Sequence, residues 1–202
     1  MNARRAQGNW GMSEIQGLDE VERRRIAALR SFELLDTPFE ARFDRVVRVA
    51  ARIFGSPIAL ISLVDVERQW FKAAYGLDVR ETERSISFCT HAIKQTNVFV
   101  VPDAALDDRF AGNPLVTGDP RIRFYAGAPL ITSDGDAIGT LCVIDKVPWS
   151  EFPDHAQEAL RDYAAMVMDW FEADRAVRQL SRENHALRRD LDRVAATISS
   201  KP

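Results

Sequence analysis

Ile122-Arg123-Phe124-Tyr125-Ala126-Gly127-Ala128-Pro129-Leu130-Ile131-Thr132-Ser133-Asp134-Gly135-Asp136-Ala137-Ile138-Gly139-Thr140-Leu141-Cys142-Val143-Ile144-Asp145 is the stretch that decides the fold. Two apolar, strand-like runs flank the polar turn Ser133-Asp134-Gly135-Asp136, the pattern of an antiparallel hairpin. Cys142, one of two cysteines, lies on the second run. Its thiol is either chemistry or packing, and the surrounding strand pattern favours packing.

Working outward, the segment before the hairpin, Asp103 to Arg121, holds Gly112, Pro114, Gly118 and Pro120 and reads as a long loop. Loops of that length in compact domains are commonly functional. Upstream, Val98 to Val101, Gln69 to Tyr75 and Ile58 to Val64 read as strands. The last is apolar almost throughout, as in a central strand covered on both faces. Ser85 to Gln95 has the length of a short helix, and Asp65-Val66-Glu67-Arg68 reads as a turn.

Thr37-Pro38-Phe39-Glu40 predicts a helix start, with a capping hydroxyl, proline at the first position and glutamate three residues after the cap. Phe39, Phe43, Val46, Val47, Ala50 and Phe54 recur at helical spacing, and Gly55 stands where a left-handed terminator is wanted. Leu18 to Leu35 predicts another amphipathic helix, its stripe interrupted by Arg25. Residues 1–17 are polar, without a sustained period, and are expected to form a mobile arm.

After the proline-containing connection from Val147 to Pro153, one long helix is expected from Asp154. Tyr163, Met166, Trp170, Ala173, Val177, Leu180, Asn184, Leu187, Leu191, Val194 and Ile198 step by alternating threes and fours, a heptad seam. Asn184 is its one strongly polar member. Val177, Asn184 and Leu191 at one core position, with Leu180, Leu187 and Val194 at the other, favour a parallel two-stranded coil whose register the asparagine fixes. Glu183 would face Arg188 of a second copy, an exposed pair contributing only ~0.3 kcal/mol. Asp169 and Asp174 occupy the equivalent positions earlier and would repel.

Composition bounds the function. A length of 202 residues with 46% hydrophobic content supports one full-sized core plus extensions. A net charge of -3, with the arginine clusters far apart in sequence, argues against a nucleic-acid surface. No apolar run is long enough to cross a bilayer and no secretory signal is visible, so no membrane partner is expected. Two cysteines make no disulfide framework, and a cytoplasmic setting fits best. The usual catalytic signatures are missing, so the chain is read as non-enzymatic.

Cys89-Thr90-His91 and Cys142 are the remaining candidates for chemistry. On a helix, positions two apart diverge by about 200°, which works against a metal site shared by Cys89 and His91. Both cysteines read as small buried apolar residues, with a thiol-based redox role as the competing view. His91 is either a pocket hydrogen-bonding group or a surface residue. Phe124 and Tyr125 make a ligand-facing cluster or core. Asp103 and Arg109 in the loop are ion-paired, capping or ligand-touching. The candidate ligand set is therefore Cys89, His91, Asp103, Arg109, Phe124 and Tyr125, with no cofactor assigned.

In order along the chain, the motifs are Leu34-Leu35-Asp36-Thr37-Pro38, Ile61-Ser62-Leu63-Val64-Asp65, Gln69-Trp70-Phe71-Lys72, Ser87-Phe88-Cys89-Thr90-His91-Ala92-Ile93, Asp107-Asp108-Arg109-Phe110, Asn113-Pro114-Leu115-Val116, Ile122 to Leu130, and Gly139 to Asp145. Together they resemble a bacterial GAF domain of the subgroup common at the N-terminus of sensor histidine kinases and diguanylate cyclases. The resemblance implies an α+β fold, with an antiparallel sheet flanked by helices and a pocket between the sheet and a loop-rich cap. It also implies a long C-terminal coiled-coil helix that carries signals and dimerises. The expected organisation is an arm at 1–17, a GAF domain at 18–168 and a coil at 169–202.

The function expected is a cytoplasmic sensory module that binds a small ligand and signals through a parallel homodimer. The coil seam, from Tyr163 to Val194, forms the dimer interface. The chain stops at Lys201-Pro202, so its partner, such as a kinase or cyclase, is expected in trans, or the chain is a fragment. The competing views are a thiol-based redox sensor or small redox enzyme using Cys89 or Cys142, and a ligandless dimerisation adaptor.

Overall fold

The computed structural model describes residues 17–199, and the side chains of 17–193. The expected arm at 1–17 lies almost wholly outside the described residues, as do the side chains of Val194 and Ile198. The elements are α1 (Glu20–Ser31), α2 (Ala41–Phe54), β1 (Ile58–Val64), β2 (Arg68–Tyr75), β3 (Glu81–Glu83), α3 (Cys89–Ala92), β4 (Phe99–Val101), α4 (Pro114–Thr117), β5 (Phe124–Ile131), β6 (Ala137–Asp145) and α5 (Asp154–Ser199). The six strands form one sheet in the order β3-β2-β1-β6-β5-β4, antiparallel at every pairing.

The hairpin forms as its pattern predicts. Ala126 pairs with Val143 and Leu130 with Gly139, and the turn closes with Thr132 N–H donating to Asp136 O at 3.0 Å. Gly135 takes φ +88°, a conformation only glycine adopts freely. Alternation along β5 then decides what each side chain touches. Phe124, Ala126, Ala128 and Leu130 join the core under α2 and α5, whereas Tyr125 joins a second core under the cap of α3 and the 103–121 loop. β1 is buried at every position, with Ala59, Ile61 and Leu63 on the helix side and Ile58, Leu60 and Val64 on the cap side.

The helix expectations need three corrections. α2 starts at Ala41, not at Pro38. The Thr37 hydroxyl does not cap it, because it donates to Leu34 O at 2.6 Å and accepts from Lys72 Nζ at 2.7 Å. Arg25 does not interrupt the α1 stripe. It is buried, forks onto Glu22 at 2.7 and 2.8 Å, and donates to Val64 O at 2.7 Å, tying α1 to the end of β1. The helix expected over 85–95 is a 3-10 turn, Arg84–Ile86, followed by the single turn of α3, and β3 precedes it. Gly55 terminates α2 in the left-handed region, φ +67°, as its position predicts.

Among the described residues, Lys72 is the one lysine in the core. A bulge opposite Ile61 and Ser62 turns it toward α2, where the fully buried ammonium meets Glu40 Oε1 at 2.6 Å. Removing the charge together with its volume differs from replacing it with an apolar chain of similar length. Lys72→Ala is expected to cost about 2–4 kcal/mol through the cavity and the stranded Glu40 carboxylate. Lys72→Met should stay within about 1 kcal/mol of the wild type. Urea denaturation of the two variants checks this, and equal losses would contradict it.

Candidate functional site

Where the resemblance implies a pocket between sheet and cap, the space is filled by rings. Phe88 and Phe110 stack with centroids 4.0 Å apart, and Tyr125 and Phe99 close in at 5.3 Å from Phe88 and 6.1 Å from Phe110 respectively. Such contacts add about 0.5–1.5 kcal/mol per pair beyond burial, so the cap is held shut by packing.

Within that core the Cys89 sulfur collects polar neighbours. The Thr140 hydroxyl donates to it at 3.1 Å and the Tyr125 hydroxyl at 3.4 Å. Burial works against a Cys89 thiolate, but hydrogen bonds from Cys142, Thr140, Tyr125 and Ser62 outweigh it and hold this thiol below its ordinary range. The hydrogen bond to Cys89 and burial push Cys142 the other way, and burial with the two cysteines pushes the Tyr125 phenol up. Gln69 leads from this core to the surface. Its Oε1 accepts from Ser87 Oγ at 2.6 Å and from Ser62 Oγ at 3.3 Å, and its Nε2 donates to Thr82 Oγ1 at 2.6 Å.

Thr82 and Ser87 stand in the wall of a half-open cleft of about 870 Å³ at the β2–β3 edge of the sheet. α1 supplies Arg30, the β1–β2 turn supplies Asp65, Val66 and Glu67, β2 supplies Arg68, and the segment from β3 to α3 supplies the rest. Arg68 is its centre. Its Nη1 and Nη2 fork onto Asp36 at 3.0 and 2.6 Å, and Nη1 also meets Glu81. Burial opposes the charge, but Asp36 and Glu81 hold it protonated at every accessible pH. Arg84 Nη1 donates to Glu22 Oε1 at 2.6 Å and to Asp65 O at 3.1 Å. The Asp65 carboxylate lies 3.9 Å from Arg30 and 3.8 Å from Arg68, beyond hydrogen-bonding distance. Asp65 Oδ1 and Arg68 Nε are buried with no hydrogen-bond partner, which is costly for charged groups.

Of the sequence-predicted ligand set, the structure brings Cys89 and Tyr125 together under the cap. His91 lines the cleft, edge-on to Phe110 at 4.8 Å, and burial with the charges of Lys94 and Arg109 holds it below the usual histidine range. Arg109 lies over Phe99 at 4.8 Å and forks onto Asp107 at 2.8 and 2.5 Å. Asp103 accepts from Arg123 at 2.7 and 2.6 Å and from Ala105 N–H, fastening the cap loop to β5. Neither Arg109 nor Asp103 lines the cleft. Phe124 is a correction, because strand alternation sends it to the opposite face, stacked on Trp149 at 4.1 Å. Sequence reading missed Arg30, Asp65, Arg68 and Arg84. The available signal was the charged run Asp65 to Arg68 next to an apolar strand, which reads equally well as an ordinary turn. Among the described residues, no group of three or more His, Cys, Asp or Glu is placed to hold a metal ion.

α5 splits its faces. Leu160, Ala164, Val167, Met168 and Phe171 are buried on the body. On the seam, Tyr163 and Trp170 are half-buried against the core, Met166 is exposed, and Val177, Leu180, Asn184, Leu187 and Leu191 are exposed. Asp174 does not face outward to repel a partner, because it pairs with Arg42 of α2. Arg175 Nη1 donates to Ser31 Oγ at 3.3 Å and Arg178 Nη2 to Phe32 O at 2.7 Å, and Arg182 pairs with Glu33. The α1–α2 connection is therefore gripped by α5 on one side and by Arg68 on the other. Within it, Glu33 and Asp36 take left-handed φ values of 49° and 60°.

The GAF domain family model matches residues 38–168, and the chain belongs to that family. A relative named cyclic di-GMP phosphodiesterase, from Pseudomonas aeruginosa, is 46% identical over 149 residues, which cover 74% of this chain and 25% of the relative. The chain thus spans about a quarter of that relative's length. Among solved structures, the GAF domain of an Acinetobacter phosphoenolpyruvate-protein phosphotransferase superposes with TM-score 0.58 at 19% identity, covering 79% of this chain and 98% of that one. The free methionine-R-sulfoxide reductase of Neisseria meningitidis, in complex with its substrate, gives 0.56 at 20% identity, with 79% and 95% covered. These two neighbours bear on the fold alone. The relative's name overturns the expectation of a non-enzymatic chain: a close relative is named as an enzyme, so missing catalytic motifs in these 202 residues do not make the protein a non-enzyme. No helix among the described residues is long and apolar enough to cross a membrane.

The donors around Cys89 make a prediction for the thiols. In native protein, alkylation of Cys89 should start at lower pH than that of Cys142, and Thr140→Val should move the Cys89 onset upward. Mass spectrometry after pulsed alkylation reads both sites, and an onset unmoved by Thr140→Val would contradict the account.

Proposed function

We propose that the chain is the input module of a signalling protein whose output is turnover of a cyclic dinucleotide, the activity its relative's name carries. Residues 18–168 form the sensing body and residues 169–202 the transmitting segment, helical through Ser199. A small ligand in the cleft at Asp65 and Arg68 alters the α1–α2 connection, and α5 passes the change to the output as a parallel homodimeric coil.

The observation that carries this reading is the division of α5, docked on the body through Phe171 and then presenting Val177, Leu180, Leu187 and Leu191 at 64–68% exposure along one seam. Leucines so exposed at heptad spacing are supported by a second helix rather than by water. Asn184 on the same seam specifies register at some cost in stability. Glu183 accepts from Gln179 at 3.0 Å within its own helix and stays available to Arg188 of a second copy.

A thiol reading is the second, favoured by the donors converging on the Cys89 sulfur. Burial of both cysteines means that any reagent must wait for the cap to open. The alkylation measurement above bears directly on it.

Sedimentation at micromolar concentration tests the first reading. The wild type should be dimeric, and Leu187→Asp should be monomeric with unchanged near-ultraviolet circular dichroism. Asn184→Leu should raise stability while admitting higher oligomers. A monomeric wild type would overturn the transmission scheme.

A further inference from the structure

The outer side of α2 carries charges that the chain leaves unmatched. Phe43, Val47 and Ala50 are buried, and the far side shows Arg45, Arg48 and Arg52 in one exposed row. Arginines elsewhere on the body are engaged: Arg25 with Glu22, Arg68 with Asp36, Arg123 with Asp103. Among the described residues, none gives Arg45, Arg48 or Arg52 an ion pair or side-chain hydrogen bond. α5 has an exposed acidic counterpart, Asp162 and Asp169, about two turns apart and likewise unpaired among the described residues.

The two helices lie side by side and run antiparallel. Phe43 packs on Trp170 and Phe171 with centroids 6.0 and 5.1 Å apart, whereas Phe54, at the other end of α2, meets Phe152 just before α5. Arg42 pairs with Asp174, so the Asp174 side of α5 is the side turned to α2. At about 100° per residue, Met166 lies about 80° around α5 from Asp174, and Asp162 and Asp169 about 120–140°, on the flank away from α2. Between the charged rows the surface is apolar. Ile53 of α2 is 56% exposed and Met166 of α5 49%, with Val49 on α2 and Tyr163 and Trp170 on α5 half-buried.

The inference drawn from this face rests on the reading of α5 as a parallel two-stranded coil. A two-fold axis along the coil keeps both copies at one height and carries the acidic flank of each α5 over the α2 of the other. At ~1.5 Å per residue, Arg45 and Arg52 stand ~3 and ~13.5 Å beyond Phe43, and Asp169 and Asp162 stand ~1.5 and ~12 Å beyond Trp170 in the same direction. We propose that the dimer continues from the coil onto the body. The α2–α5 face docks on the same face of a second copy, with Arg45 meeting Asp169 of the second copy and Arg52 meeting its Asp162. A second copy is the occupant because the basic and acidic rows share one face at matching heights, the self-complementarity that a two-fold contact requires. Asp169, which the heptad alone sets against its own counterpart, is matched by α2, a helix outside the heptad. Charges at such a rim set orientation and association rate more than strength, and the apolar strip around Ile53 and Met166 supplies the burial.

Sedimentation equilibrium on charge-reversed chains tests it. Arg45→Glu with Arg52→Glu makes one variant and Asp162→Arg with Asp169→Arg the other, all at exposed positions, so circular dichroism should match the wild type. Each variant alone should dimerise about 10-fold more weakly or worse, because like charges then face each other. An equimolar mixture should recover wild-type affinity as a heterodimer, since every reversed contact is then opposite in sign. Ile53→Asp should also weaken dimerisation by about 10-fold. A mixture no tighter than either variant alone overturns the pairing, as does wild-type affinity in both variants. If Leu187→Asp abolishes the dimer while the reversals and Ile53→Asp leave it unchanged, the body face fails and the coil reading stands. A monomeric wild type overturns both.

Discussion

A sheet covered on both faces leaves its turns and its edge as the places where charged groups can meet water. That constraint organises this molecule. β1 is buried at all seven positions, with helices over one face and an aromatic cap over the other. The cap core closes on Phe88, Phe110 and Tyr125, so the interior offers a small ligand no room without rearrangement. Polar chemistry therefore collects at the β1–β2 turn and the short edge strand β3, where Asp65, Arg68 and Glu81 stand. Gln69 is the thread between the two regions, touching Ser62 and Ser87 inside and Thr82 at the wall.

Arg68 connects this cleft to the rest of the chain. Its two terminal nitrogens hold Asp36, and Asp36 and Glu33 are non-glycine residues at positive φ. Such conformations cost of order 1–3 kcal/mol each and persist only when surrounding contacts hold them. The contacts on the other side come from α5, through Arg178 on Phe32 O and Arg182 on Glu33. Arg30, whose guanidinium faces Asp65, lies one residue before Ser31, which Arg175 of α5 contacts. Charge rearrangement in the cleft and the position of α5 thus bear on the same stretch of the α1–α2 connection, residues 32–37, a short physical path rather than a distant coupling.

Much of the fold was legible because it rests on period. The alternation of the hairpin and the apolar run of β1 each report burial directly, and Gly55 marks a helix end through backbone sterics. The site was far less legible. Phe124 and Tyr125 are neighbours in sequence, yet the same alternation that identified the strand separates them to opposite cores. Asp103 and Arg109 look like binding residues, but Arg123 and Asp107 engage them locally. Arg25 looked like a flaw in the α1 stripe because its partners, Glu22 and Val64 O, come together only in three dimensions. The Asp65 and Arg68 pair carries no periodic signal, and its meaning depends on Arg30 and Asp36 from distant parts of the chain. Reading the missing catalytic motifs as absence of an enzyme failed for a different reason: a relative 46% identical over 149 residues is named as an enzyme.

The central claim is that the cleft and α5 are mechanically joined through residues 32–37. Hydrogen exchange on Arg68→Ala measures this without any ligand. The account predicts faster exchange in β3, in the amides of 32–37 and in α5 around residues 172–182, with β5 and β6 unchanged. Faster exchange confined to β2 and β3, with 32–37 and α5 at wild-type rates, would contradict it.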